Sequence, residues 1–404
     1  MTGGDSPGRT RRTFRRRESE HFFQQLTARA ASLDELLSFD FTVVGSQHDG
    51  ADLAGTRLAT WCKACTDGDW QSLARRLSYD KLRFDEVIPK LGCAVPTPRG
   101  RSQLWASDAR WIFECLTPEA PGVYDFPEAQ PFCHLFGDLV GACRSRRDAR
   151  LPASFTDVFH ASSLDGLDAE LTRRLCDLCA PVLYSRFSRH ISAAADTPDH
   201  SGEGDPYARF THWMRSGGWF EIAESFPVLL RLVATTTAQW IGFTAELLTR
   251  TSTDLDRICE RLAGGPRGER KVAEISSAIS DPHHGGRTVR TLTLTDGFKV
   301  VYKPKDLRID VVWAGLIRDL ETGGAPFVLT AAAALACDGY GWSEFVAHSE
   351  CNDEAAVRRF FERAGAFGAL LYLLGGTDIH AENIIAAGEH PVPVDLEMLL
   401  QPVA

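Results

Sequence analysis

The apolar positions of the chain follow two different periods. From Glu20 they recur at helical spacing, first Phe22, Phe23 and Leu26, then Leu33, Leu36 and Leu37. A mainly helical body rich in aromatics continues to about residue 190. Ala193 to Pro206, AAADTPDHSGEGDP, has almost nothing to bury and reads as a mobile loop. Helical spacing returns in ESFPVLLRLVATTTAQWIGFTAELL, where Pro227 suits a first turn and Val228, Leu232, Trp240, Phe243 and Leu247 supply apolar faces. Thr253 and Asp254 suit the cap of a further helix that carries Leu255, Ile258 and Leu262 and ends at Gly264 and Gly265.

Beyond Ser280 the period changes to two. In SDPHHGGRTVRTLTLTDGFKVVYKPK, Leu292 and Leu294 alternate with threonines, and Phe298, Val300 and Tyr302 alternate on the return, which predicts a hairpin about an Asp296-Gly297 turn. A two-residue turn sets Thr295 against Phe298 and carries Lys303 beside Arg290, next to the loop Asp281 to Arg287. A helix over Val311 to Leu320, an apolar strand over Pro326 to Leu329 and a strand within YGWSEFVAH follow. A long helix starts at Asp353 with Val357, Phe360, Phe361, Ala364, Phe367, Leu371 and Leu374 on one broad face, and Gly375 ends it. The last pattern is a second hairpin, Asn383 to Ala387 and Val392 to Leu396, about the turn formers Gly388 and Pro391. Pairing centred on Glu389 sets Asn383 across from Asp395, and Glu397, two residues on, shares the face of Asp395.

Composition narrows the function classes. At 404 residues, 44% hydrophobic and 24% charged, the chain is an ordinary globular one with room for two or three domains. The net charge of −10 argues against nucleic acid as a partner. The chain has neither an apolar run approaching about 18 residues nor the apolar core of a signal peptide, so a cytoplasmic protein with no membrane span is expected. RTRRTFRRR, six arginines between Arg9 and Arg17, reads as a solvated basic tail. Eleven cysteines without a secretion signal are expected to be reduced. Cys62/Cys65 and Cys176/Cys179 have the spacing of zinc ligands, but the second pair shares an apolar helix face with Leu175 and Leu178, which favours buried core thiols.

Candidate chemistry gathers after residue 280. Gly285 and Gly286 let a backbone approach a phosphate closely, and a nearby Lys303 neutralises it. Asn383, Asp395 and Glu397 offer one amide oxygen and two carboxylates, hard ligands that suit magnesium. Asp378 and His380 stand just ahead, in a loop opened by Gly375 and Gly376. A double glycine or a polar hairpin end is common on any surface; the serial order is the selective signal. Glycine loop, lysine strand, helix, strand, connection, helix, Asp loop and metal loop is the plan of a kinase.

DPHHGGR, VVYKPK, YGWSEFV, GGTDIHAENIIA and PVDLE resemble the dehydratase domain of class II lanthipeptide synthetases, the LanM type. FPVLLRLVATTTAQWI is similar to that family's helical region just upstream; the similarity is weak before about residue 200 and specific from 281 to 397. The resemblance implies an α+β fold with a lipid-kinase-like core, its N-lobe at 271–351 and the start of its C-lobe at 352–404. Ahead of it lie a basic tail (1–20), a mainly helical accessory region (21–192), a flexible loop (193–206) and a helical region (207–270). The implied activity is ATP-dependent dehydration of Ser and Thr in a ribosomally made precursor peptide. Lys303 would then hold the ATP phosphates, with Asp281, His283, Gly285 and Gly286 in the loop above them. Asp378 would orient or deprotonate the substrate hydroxyl, His380 would support that loop, and Asn383, Asp395 and Glu397 would hold Mg2+. In the family the kinase fold continues past the position of Glu397, and a zinc-bearing cyclase domain follows, so a further segment acting in cis or in trans is expected. A fold cut there exposes Met398, Leu399 and Leu400. Two other readings remain open: a phosphotransferase acting on a small molecule or lipid, and a non-catalytic peptide-binding fragment.

Overall fold

In the computed structural model the described residues run from 22 to 400, apart from residues 24, 28, 33–34, 36–40, 43–46, 93–94, 97–103, 119–121, 123, 125–129 and 196–204. The basic tail, Leu33, Leu36, Leu37 and most of the expected loop at 193–206 therefore lie outside them. The chain divides into two units, Met1–Cys143 with Leu171–Ala238, and Arg144–Glu170 with Gln239–Ala404. Arg144–Glu170, read from sequence as part of the accessory region, thus packs with the second unit. Among the described residues no helix is long and apolar enough to cross a membrane.

The first unit is helical because its apolar residues repeat at three and four. Asp69 caps the helix Trp70–Tyr79 by accepting from the Gln71 N–H, and Leu73 and Leu77 are its buried stripe. Leu77 meets Ala54, Val87 and Leu91 in one core. A second cluster gathers Phe132, Phe187, Tyr207 and Phe210 edge to face. Cys176 and Cys179 are buried on the long helix Asp165–Ala195, and burial pushes both thiols up to about 12. They are core thiols, as the spacing on an apolar face indicates, while Cys65 is exposed.

One helix, α1 (Pro227–Arg261), runs unbroken through the positions where sequence reading places a cap. Thr253 remains helical by donating to the Thr249 carbonyl at 3.0 Å. Asp254 is buried and accepts from the Tyr340 hydroxyl at 2.7 Å and the Trp342 indole at 3.0 Å. A residue type that usually starts helices serves here as an internal acceptor for the sheet.

That sheet has five strands, β1 (Val272–Ile275), β2 (Arg290–Leu294), β3 (Lys299–Lys303), β4 (Ala334–Ala336) and β5 (Gly341–Glu344), in the order β1-β2-β3-β5-β4 and antiparallel throughout. The β2–β3 turn holds three residues, not two. Asp296 accepts from the Phe298 N–H, Gly297 takes φ +87°, and the Leu294 N–H donates to the Phe298 carbonyl. Arg290 therefore pairs with Tyr302, and Lys303 falls one place further on than a two-residue turn predicts. Since faces alternate residue by residue, that single step decides what Lys303 meets. Tyr302 lies between Arg290 and Trp342 on one face, and Lys303 projects from the other.

The Tyr302 face packs on α1. Phe243, Glu246, Arg250 and Asp254 recur every three or four residues along the helix and so share one side of it. Phe243 meets the Tyr302 ring, and the Arg290 guanidinium lies 5.5 Å from the Phe243 centroid. Arg290 also forms two bonds to Glu170, both groups being almost fully buried.

Helix α2 (Arg308–Thr322) connects β3 to β4, and α3 (Glu354–Leu373) begins at an Asp353 cap that accepts from the Ala356 N–H at 2.7 Å. The stretch Pro326–Leu329 forms no strand; Leu329 is apolar because it joins Trp313, Ile317, Phe367, Leu371, Leu396 and Leu399 in a core. Only part of the expected α3 face is buried: Phe367 and Leu371 are inside, while Val357 and Phe361 are exposed. Met398 and Leu400 are exposed as expected, but Leu399 belongs to the core. The last hairpin is β6 (Ile384–Ala387) with β7 (His390–Pro393), closed by Gly388 and Glu389.

Replacing Arg290 by Met takes from the buried Glu170 carboxylate the guanidinium and the two hydrogen bonds that it supplies. This is expected to cost about 3–5 kcal/mol of unfolding free energy, and the double variant Arg290→Met/Glu170→Leu to regain most of it. Denaturant titration of the three proteins measures both; a single-variant loss below about 1 kcal/mol contradicts the role given to the pair.

Candidate active site

Lys303 is the last residue of β3, and its ammonium is nearly buried. A buried ammonium requires acceptors, and two are present: the Val394 carbonyl, and Asp310 Oδ1 at 3.5 Å. Asp310 stands in the first turn of α2. Burial depresses the lysine pKa and raises that of the acid, while the charge of each opposes the shift in the other. The result is a strand lysine fixed by an acid on the neighbouring helix. The sequence reading missed Asp310, although Asp310, Trp313 and Ile317 fall on one face and are all buried.

The catalytic-loop candidates follow from the way α3 ends. The Gly376 N–H bonds back to Leu371 and the Gly375 N–H to Tyr372, a Schellman closure with Gly375 at φ +64°. A Cβ on Gly376 would lie 2.9 Å from Leu399 and 3.1 Å from the Leu371 carbonyl, so only glycine fits. Asp378 comes next, exposed and itself at φ +61°. The Asn383 amide donates to the Asp378 carbonyl at 2.8 Å and lies 3.3 Å from His380 Nε2. His380 Nδ1 accepts from the Glu382 N–H at 3.3 Å, capping the turn Ala381–Asn383. Asp378 Oδ1 is 3.8 Å from His380 Nε2. Three of the expected site residues thus form one small network.

The second hairpin corrects one expectation. Its turn has two residues, so the register places Asn383 opposite Val394 rather than Asp395: Ile384 pairs with Pro393, and the Val394 N–H donates to the Asn383 carbonyl at 3.0 Å. Asn383 is accordingly tied into the Asp378 loop. Asp395 and Glu397 do project together, on either side of Leu396, which is buried in the core. Both converge on one positive group, the Lys305 ammonium, which contacts Asp395 and lies 3.0 Å from Glu397. Burial works against that charge, but the two carboxylates outweigh it and hold the ammonium above the usual lysine range. Two hard oxygen donors already meeting at one cation fit a divalent metal, with Asn383 one residue away from the Asp395 register. Lys305 was the second residue missed.

The glycine loop is a tight turn of its own. His283 and Arg287 bond to each other through both backbone pairs, at 2.9 and 2.8 Å, and His284, Gly285 and Gly286 between them have φ of +40°, +86° and +89°. Gly286 is pressed against Gln239, where a Cβ would come to 3.0 Å. Asp281 and His283 are exposed. What holds the loop is Arg287, which donates to Glu246 at 3.0 and 2.7 Å. Burial alone would raise the Glu246 pKa; Arg287 and Arg250 more than offset it. The Tyr302 hydroxyl also reaches Glu246, at 3.4 Å. The loop and the lysine strand thus share one anchor on α1, a third residue that sequence reading passed over.

Residues 226–404 match the family model of a domain of unknown function, DUF4135. The lacticin 481/lactococcin biosynthesis protein LcnDR2 of Lactococcus lactis subsp. lactis is 27% identical over 194 residues, 44% of this chain and 20% of the relative. The matched stretch thus spans about a fifth of that protein's length. The two matches bear out the resemblance to class II lanthipeptide synthetases.

The tip of the second hairpin is clamped to α3. Arg359 and Arg363, one turn apart, both bond to Glu389, and they hold its carboxyl down at about 2. A carboxyl lowered from its unfolded value of 4.5 stabilises the folded state fully above that pH and loses the contribution as pH falls toward 2. Glu389→Gln should therefore melt below the parent protein at pH 7, with the gap closing as pH is lowered from 4.5 toward 2. Melting curves of both proteins across that range decide it, and a gap independent of pH contradicts the clamp.

Proposed function

We propose that the second unit is the phosphate-transferring part of a peptide dehydratase of lanthipeptide biosynthesis. It would use ATP and Mg2+ to act on Ser and Thr hydroxyls of a ribosomally made precursor. The lipid-kinase-like core expected from sequence is part of the same proposal. One observation carries it: the Val394 backbone accepts from Lys303 and donates to Asn383, so the buried lysine, the Asp378 loop and the acidic pair Asp395/Glu397 are held at one end of one hairpin. The relative's name attaches it to lacticin 481 and lactococcin biosynthesis, and that role is carried over with the resemblance.

A serine hydroxyl is a poor leaving group, so dehydration is made possible by first converting it to a phosphate ester. Lys303, kept in place by Asp310, supplies positive charge to the transferring phosphates. Asp378 takes the hydroxyl proton as the substrate oxygen bonds to the γ-phosphorus and the bond to ADP breaks. His380 and Asn383 hold Asp378 in position for this. Asp395, Glu397 and Asn383 would hold Mg2+, which supplies charge neutralisation on the phosphates when bound. In the second step a base removes the α-proton and the Cβ–O bond breaks, releasing phosphate and leaving a dehydroamino acid. The exposed pair Asp281 and His283, on the glycine loop, is assigned to the phosphate side of the site.

Intact-mass measurement of a Ser/Thr-rich precursor incubated with the protein, ATP and Mg2+ tests the reading. The expected outcome is gain of phosphate or loss of water at Ser or Thr, reduced at least about 100-fold in Asp378→Ala. ATP turnover that needs no peptide points instead to a small-molecule or lipid phosphotransferase. An unmodified peptide with no ATP turnover leaves only the peptide-binding reading.

A further inference from the structure

Resting on the metal site of that reading, we propose that Lys305 is a resident cation that holds Asp395 and Glu397 together until a divalent ion displaces it, and that the freed ammonium then takes up nucleotide phosphate. Metal and nucleotide would in consequence bind cooperatively.

The two lysines of the Lys303-Pro304-Lys305 run reach toward the same acidic stretch but are held in different ways. Lys303 is about nine-tenths buried and fixed by a backbone carbonyl and by Asp310. Lys305 is 26% exposed, and its partners Asp395 and Glu397 are 39% and 54% exposed, so water reaches every member of the second set. A buried pair resists exchange; a half-solvated one exchanges readily. Two carboxylates on either side of a buried leucine repel each other when nothing positive lies between them, and the Lys305 ammonium fills that place. A divalent ion binding the same oxygens at about 2.0–2.1 Å leaves no room for an ammonium in hydrogen-bond contact with both. Entry of the metal must therefore move Lys305. Its four-carbon stem is flexible and its head is a point charge suited to phosphate, the group that the metal itself draws in. Metal alone must break the Lys305 contacts without replacing them, whereas metal with nucleotide gives the lysine a new anion. By linkage, each ligand then raises the affinity for the other by the same factor.

The test is Mn2+ titration of the protein, followed by electron paramagnetic resonance, with and without a non-hydrolysable ATP analogue. Lys305→Gln should bind Mn2+ alone about tenfold more tightly than the parent, and should gain less Mn2+ affinity from the nucleotide. Lys305→Arg, which keeps the charge, should behave like the parent. Equal Mn2+ affinity in the parent and Lys305→Gln, with nucleotide-dependent Mn2+ binding intact, overturns the proposal and leaves the metal reading standing. No Mn2+ binding by either protein under either condition defeats the metal reading and the proposal with it. A second readout uses the parent protein alone: amine acetylation mapped by mass spectrometry. Mn2+ should raise the reactivity of Lys305, and added nucleotide should lower it again, with Lys303 protected throughout. Lys305 reactivity unchanged at saturating Mn2+ also overturns the proposal.

Discussion

The burial of one ammonium organises the candidate site of this unit. Lys303 has left water at the end of β3, and a charge in that position is tolerated only where acceptors replace the water it lost. Asp310 supplies one and the Val394 carbonyl the other. The requirement therefore fixes three elements at once: the strand that ends in the lysine, the first turn of the helix that follows, and a hairpin some ninety residues further along the chain. Because the Val394 N–H is in turn bonded to Asn383, the constraint passes through a single peptide group into the loop that carries Asp378. Positioning the buried Lys303 and positioning the Asp378 loop, the two groups to which phosphate and hydroxyl binding are proposed, are thus one structural problem, solved at one residue.

The opposite face of the same strand does the complementary work. Tyr302 is turned toward α1, where Glu246 accepts its hydroxyl and holds Arg287 of the glycine loop. Asp254, two turns further along, receives Tyr340 and Trp342 from the strand beyond. One helix face thus sets the height of the glycine loop above the sheet and secures the far strand pair, and it does so with acids among aromatics instead of with apolar contact alone. Carboxylates of this kind, Asp254 buried and Glu246 half-buried, add directionality that hydrophobic packing lacks, since each has to meet specific donors.

Much of this was legible in the sequence, and the failures have physical causes. The hairpin that ends in Lys303, the start of the long helix at Asp353 and the glycine-opened loop of Asp378, His380 and Asn383 follow from periodicity and turn chemistry, whereas the strands Val272–Ile275 and Ala334–Ala336 do not. The two hairpin registers do not: Gly297 adds a third residue to one turn, and Gly388 with Glu389 makes the other turn shorter than a pattern centred on Glu389 suggests. A one-residue error is small in sequence but exchanges the two faces of a strand. Asp310 carried a readable signal, an acid in helical register with two buried apolar residues. Lys305 and Glu246 carried none, because their partners lie 92 and 41 residues away. Asp254 misled for the opposite reason, as its local preference for a cap was overruled by donors from the sheet.

The remaining feature is the conformation of Asp378. A non-glycine residue at φ +61° is held against its preference, by an amount on the order of 1–2 kcal/mol, and persists only where its surroundings leave no alternative. Here the Schellman closure at Gly375 and Gly376 directs the chain into the loop from one side. The Asn383 amide holds the Asp378 carbonyl, and the His380 cap holds the turn on the other side. None of these bonds uses the Asp378 carboxylate, which remains exposed and directed by its backbone. Rate acceleration in phosphoryl transfer comes mainly from placement, because the protein has little covalent chemistry to perform. For the phosphate transfer proposed above, a loop that fixes the main chain of Asp378 while leaving its carboxylate exposed would meet that need, at the cost of the strain in its backbone.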